Sequence, residues 1–130
     1  MVKDAEATYQ KALSIRRELA QANPEAYLSD VAMTLNNLAV LYRATQRMKD
    51  AEAACREAEA ILEPLWSVNP ELHGDEIARI LWLRALLCEQ LEKSCPNACV
   101  LARRALAAAY SEDLKQGIRQ LINEHCVDQD

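Results

Sequence analysis

Residues 3–25 and residues 49–71 are two copies of one segment. KDAEATYQKALSIRRELAQANPE aligns with KDAEAACREAEAILEPLWSVNPE at a constant offset of 46, without a gap. Identities run through Lys3/Lys49, Asp4/Asp50, Ala5/Ala51, Glu6/Glu52 and Ala7/Ala53. They resume at Ala12/Ala58, Ile15/Ile61, Leu19/Leu65, Asn23/Asn69, Pro24/Pro70 and Glu25/Glu71. A period in this range marks stacked helical hairpins, units that bury their apolar faces only against their neighbours. At the same offset Asp30-Val31-Ala32 meets Glu76-Ile77-Ala78, and Leu35, Ala39 and Leu41 meet Leu81, Ala85 and Leu87. After a one-residue slip Ala51 and Ala58 find a third copy in Ala98 and Ala105.

Composition agrees with helices alone. Of 130 residues, 51% are hydrophobic and 27% charged, and there are only 2 glycines. Ala and Leu dominate the apolar set and β-branched residues are few, which leaves little to build strands from. Two glycines are too few for a phosphate-cradling or dinucleotide-binding loop. A net charge of −5, with no dense Lys/Arg cluster, argues against nucleic acid as a partner. No apolar run reaches the roughly 18–20 residues that span a bilayer. The N-terminus, Met1-Val2-Lys3-Asp4-Ala5-Glu6, lacks a signal peptide's apolar stretch, so the expected location is cytoplasmic. In a reducing compartment the cysteines at 55, 88, 95, 99 and 126 read as free thiols.

The length fits one domain, 1–130. It opens on a lone second-type ("B") helix over 3–22, followed by a repeat over 27–68, a repeat over 74–110 and a capping helix over 112–125. Each repeat pairs an A helix with a B helix, at 27–45 with 48–68 and at 74–92 with 96–110. Asn23-Pro24 and Asn69-Pro70 close B helices, since proline pushes the residue before it out of the α region. Pro96 suits a first helical turn, and Ser111 an N-cap with Glu112 and Asp113 behind it. Pro64 predicts a kink or an early break. Leu72-His73-Gly74-Asp75 reads as a turn. The last helix carries Leu114, Ile118, Leu121 and Ile122 on one side and charge on the other, as a terminal cap requires. The first helix has no A partner, so Tyr9, Ala12 and Leu13 are expected to present an unfinished surface.

The run Leu35-Asn36-Asn37-Leu38-Ala39-x-x-Tyr42, followed by Ala51 and Ala58, resembles the tetratricopeptide pattern. Extended back to Asp30-Val31-Ala32, it is similar to the long-repeat subclass found in kinesin light chains. The likeness covers nearly the whole chain. The third copy departs from it, with Arg84 at the place of Leu38 and Cys88 at that of Tyr42. The resemblance implies an all-α, right-handed superhelical solenoid of antiparallel helix pairs, about six helices long. It also implies a concave groove lined by A helices that takes a peptide or a partner protein.

On that pattern the inward positions are Met33, Asn36, Asn37, Val40 and Arg43 on the first A helix. On the second they are Arg79, Trp82, Leu83 and Leu86. Asn36 and Asn37 can pair with the backbone of an extended peptide, because an amide both donates and accepts. Arg43 and Arg79 can grip a carboxylate, and Trp82 with Leu83 can wall an apolar pocket. Plainer readings stay open beside these: amides bonded within the fold, solvated arginines, and a Trp82 that belongs to the core. Cys95 and Cys99 stand four apart at the start of a predicted helix, and His125-Cys126 near the other end of the same hairpin. Four such ligands can in principle take zinc, but the spacing is not that of a zinc knuckle, and packing is the expected role. No catalytic pair can be assembled. The expectation is a non-catalytic interaction module without metal or cofactor. The alternative is a structural or self-assembling piece of a longer array, with a homodimer through the N-terminal helix as one form of it.

Overall fold

The computed structural model describes residues 2–91 and 96–126. Six helices follow one another: α1 (Val2–Ala22), α2 (Pro24–Ala44), α3 (Met48–Val68), α4 (Pro70–Leu91), α5 (Pro96–Ala108) and α6 (Glu112–His125). No strand occurs among the described residues. Successive helices pack as antiparallel neighbours, α1 on α2, α4 on α5 and α5 on α6. The chain divides into two compact units, Met1–Leu62 and Glu63–Asp130.

The helix limits differ from the sequence expectation mainly at the starts of α2 and α4. Pro24 and Pro70 each occupy the first position of the next helix, where a missing N–H leaves no bond unmade. A single residue, Asn23 or Asn69, therefore separates consecutive helices. Asn69 caps α4, its Oδ1 accepting from the Leu72 N–H at 3.3 Å. The expected turn at Leu72–Asp75 is instead helical. Gly74 is present for space: a Cβ there would lie 2.4 Å from the Ala108 carbonyl oxygen and 2.7 Å from the Tyr110 ring. His73 is buried, with Nδ1 3.2 Å from Glu76 Oε2. Pro64 does not break α3, which runs on to Val68. Pro64 and Ala60 are both exposed, so water can satisfy the carbonyl that the proline leaves without a donor.

In the first unit α1 buries Leu13 and Ala20, and α2 buries Val31, Ala32, Leu35, Leu38 and Ala39. Leu13 thus belongs to the core rather than to an unfinished surface, and the apolar residues that α1 exposes are Ile15 and Leu19. Thr34 is buried among them but satisfied, accepting from Arg16 and donating to the Asp30 carbonyl. On α3 the small residues Ala51, Ala54, Cys55 and Ala58 face inward, which lets backbones approach closely. The turn into α3 holds Gln46 at φ 65°, in the left-handed region.

In the second unit the one-residue slip of the repeat is visible in the packing. Ala98, Leu101, Ala102, Ala105 and Ala109 are buried where Ala51, Ala54, Cys55, Ala58 and Leu62 are buried in the earlier copy. Ser111 caps α6, its Oγ accepting from the Leu114 N–H. The Asp75 carboxylate accepts from the backbone N–H of Tyr110 at 2.6 Å and of Ser111 at 3.0 Å, bridging α4 to the α5–α6 turn.

Four cysteines were expected here as free thiols, and three of them are described. Cys99 and Cys126 form a disulfide across 27 residues, and Cys88 is disulfide-bonded as well. Antiparallel packing brings the start of α5 to the end of α6, a proximity that spacing in sequence does not reveal. Cys55 alone among the described cysteines is not disulfide-bonded, and it is buried. The argument from a reducing compartment therefore fails for the disulfide-bonded residues. No described helix is long and apolar enough to cross a membrane.

Candidate interaction site

The predicted groove residues fall into two sets, one in each unit. On α2, Asn37 and Val40 are exposed, and Met33, Asn36 and Arg43 are half-buried. These five share the face opposite Leu35, Leu38 and Ala39. Val40 is 51% exposed, an apolar side chain with polar neighbours at Asn36, Asn37 and Arg43.

On α4 the equivalent positions are more deeply covered. Leu83 is buried at 6% exposure and Trp82 and Leu86 are half-buried, while Arg79 is exposed. The Trp82 ring lies against α6 at Gly117, where a Cβ would meet it at 2.5 Å. Its Nε1 is buried with no hydrogen-bond partner among the described residues. Trp82 repeats Asn36 at the offset of 46, so α6 rests on the α4 face that corresponds to the exposed face of α2. The arginine at the place of Leu38, Arg84, is half-buried.

A second concavity was not anticipated from the sequence. In the first unit a cleft of about 590 Å³ runs between α1 and α3, floored by Leu13, Leu35 and Leu38. Arg17 bridges to Glu57 at 2.6 Å, and Arg47 to Glu6 at 2.6 Å and Asp50 at 2.9 Å. The Arg47 guanidinium also stacks over the Tyr42 ring, 4.4 Å from its centroid. The hydrogen bonds from Glu6 and then Asp50 raise the Arg47 pKa further above its ordinary value. The only advance signal was the Ala-rich stretch at 51–54 facing polar positions of the first helix.

The zinc alternative does not survive for two of its residues, because Cys99 and Cys126 are bonded to each other and offer no thiolates. Cys95 lies outside the described residues. His125 stands 3.5 Å from Glu89, and no group of three metal-ligating side chains occurs among the described residues. Comparison with protein-family models, curated proteins and solved structures finds no match.

Proposed function

We propose that the chain is a non-catalytic protein-interaction module of the tetratricopeptide type, whose α2 face binds an extended peptide of a partner protein. The observation that carries this reading is Val40, half-exposed beside Asn36 and Asn37 on a helix whose other side is core. An apolar contact flanked by amides suits a peptide: the side chain supplies burial and the amides pair with main chain whatever its sequence. Arg43, on the same face of α2, adds a cation for a carboxylate. On α4 the equivalent face is taken up within its own unit, with Leu83 buried and Trp82 against Gly117, so the proposed site is the α2 face alone. An array of random peptides probed with the full chain tests this. Asn37→Ala is expected to weaken the peptides selected by about tenfold, or ~1–2 kcal/mol, with thermal unfolding unchanged. Peptides that bind parent and variant equally would remove the α2 face from the site.

A second reading has its own observation. Ile15 and Leu19 are 49% and 40% exposed on α1, which suits self-association through that helix. Light scattering of the full chain separates the two, since a dimer that Leu19→Lys dissolves supports self-assembly. The disulfides suit an oxidising environment better than the cytoplasm expected from the sequence.

A further inference from the structure

We infer that the α1–α3 cleft of the first unit is a second binding site, one that takes a bulky aromatic side chain flanked by lysine or arginine. The inference is independent of the α2 face and uses the opposite side of that helix.

Arg17, Leu35 and Glu57 line the cleft, and their counterparts Glu63, Leu81 and Arg104 line a hollow in the second unit. The bridge across it recurs with its charges exchanged, Arg104 to Glu63 at 2.8 Å for Arg17 to Glu57. The two concavities are thus the same feature of the fold met twice. Their contents differ. The second-unit hollow measures about 120 Å³ and is lined by Trp66, whose counterpart in the first unit is Ala20. Val100 and Leu101 likewise stand at the places of Ala53 and Ala54, which line the first-unit cleft. Where one copy has an indole in the lining of its hollow, the other has the methyl groups of Ala53 and Ala54 and about 590 Å³ of space. An aromatic group from outside would bury its own apolar surface against the cleft's lining, in the place where the second-unit hollow is lined by Trp66.

Charge selects what accompanies it. Asp50, Glu57 and Glu18 line the cleft against two guanidinium groups, those of Arg17 and Arg47. Both arginines are already bridged, Arg47 to Glu6 as well as to Asp50. A cation brought in beside the aromatic ring therefore meets an excess of carboxylate, and an anion is repelled. Gln10 and Ser14 stand along the α1 wall as donors and acceptors for the ligand's main chain.

The probes are two capped, amidated tripeptides, Lys-Trp-Lys and Glu-Trp-Glu, titrated into the isotope-labelled full chain and followed by amide chemical shifts. The expected result is movement of the Ser14, Leu38, Ala53 and Ala54 signals by the lysine peptide at roughly millimolar concentration, with at least about fivefold weaker response to the glutamate peptide. Ala53→Trp, which fills the cleft from within, is expected to abolish the response. Glu18→Lys, an exposed change that leaves packing alone, keeps the test decisive if the tryptophan variant does not fold, and is expected to erase the preference between peptides. Asn37→Ala is expected to change nothing here, which separates this site from the α2 face. Equal response to both peptides, shifts confined to the α2 face, or no shift in the cleft signals would overturn the inference.

Discussion

The cleft between α1 and α3 and the smaller hollow beside Trp66 and α5 descend from one repeated segment, and the two units that contain them are stabilised by different means. In the first unit the cleft is walled by small alanines and spanned by the Arg17–Glu57 and Arg47–Glu6 ion pairs, all at least partly exposed. Its one cysteine, Cys55, is buried and not disulfide-bonded. In the second the hollow is smaller and lined by Trp66, α6 closes over Trp82, and a disulfide joins α5 to α6. Duplicated segments can thus keep a helical framework while one copy spends its apolar volume on itself and the other leaves it available.

The largest expected effect tests the covalent part of that contrast. Cys126→Ser opens a loop of 27 residues, for which chain entropy gives a loss of about 3.5 kcal/mol. Hydrogen exchange is expected to show that loss in α5 and α6, with the amides of α1 and α2 unchanged. A uniform loss over both units would mean that they unfold as one, and the contrast would break. A smaller loss is expected from Trp66→Ala, about 2 kcal/mol for a half-buried indole, again confined to the second unit. Denaturant unfolding followed at Trp82 in this variant reads it out.

The hairpins were legible because the repeat, the Asn-Pro punctuation and the alanine spacing all follow from short-range geometry. The start of α4 was not. Pro70, Gly74 and Asp75 have the composition of a turn, yet each is there for another reason: a helix start, clearance for Ala108 and Tyr110, and an acceptor for the next connection. Residues selected by tertiary contact imitated loop chemistry. The α2 positions Asn37 and Val40 could be placed on a surface from periodicity alone. The burial of Leu83 could not, because the packing that covers it appears only in the folded unit. Nor could the cleft, whose defining pair, Arg17 and Glu57, are 40 residues apart and meet only once α1 and α3 are set side by side.

Asp75 sharpens the comparison through pH. The Tyr110 N–H, and after it that of Ser111, hold its carboxyl below the ordinary value of 3.8. A depressed folded pKa means that the stabilisation is complete above the unfolded value and is lost as pH falls through the folded one. The second unit is therefore expected to lose about 1 kcal/mol below roughly pH 4, through weakening of two charge-assisted bonds. Asp75→Asn is expected to flatten the second unit's profile in that interval. A first unit that changes in step with it would assign the effect to net charge instead.

The smallest effect bears most directly on the shared origin of the two concavities. Arg17–Glu57 and Glu63–Arg104 occupy equivalent places with opposite polarity, and the side chains of both pairs are between 43% and 48% exposed. Exposed bridges of this kind couple by about 0.2–1 kcal/mol, diminished by salt. Double-mutant cycles on the two pairs are expected to give similar values despite the exchanged charges, because solvent screening and helix spacing set the coupling rather than the direction of the pair. The exchanged variant Arg17→Glu/Glu57→Arg is accordingly expected to retain the parent's stability within about 0.5 kcal/mol. A large penalty for that exchange would show that the first-unit cleft depends on where its arginine sits, and that the charge lining it serves more than to tie two helices together.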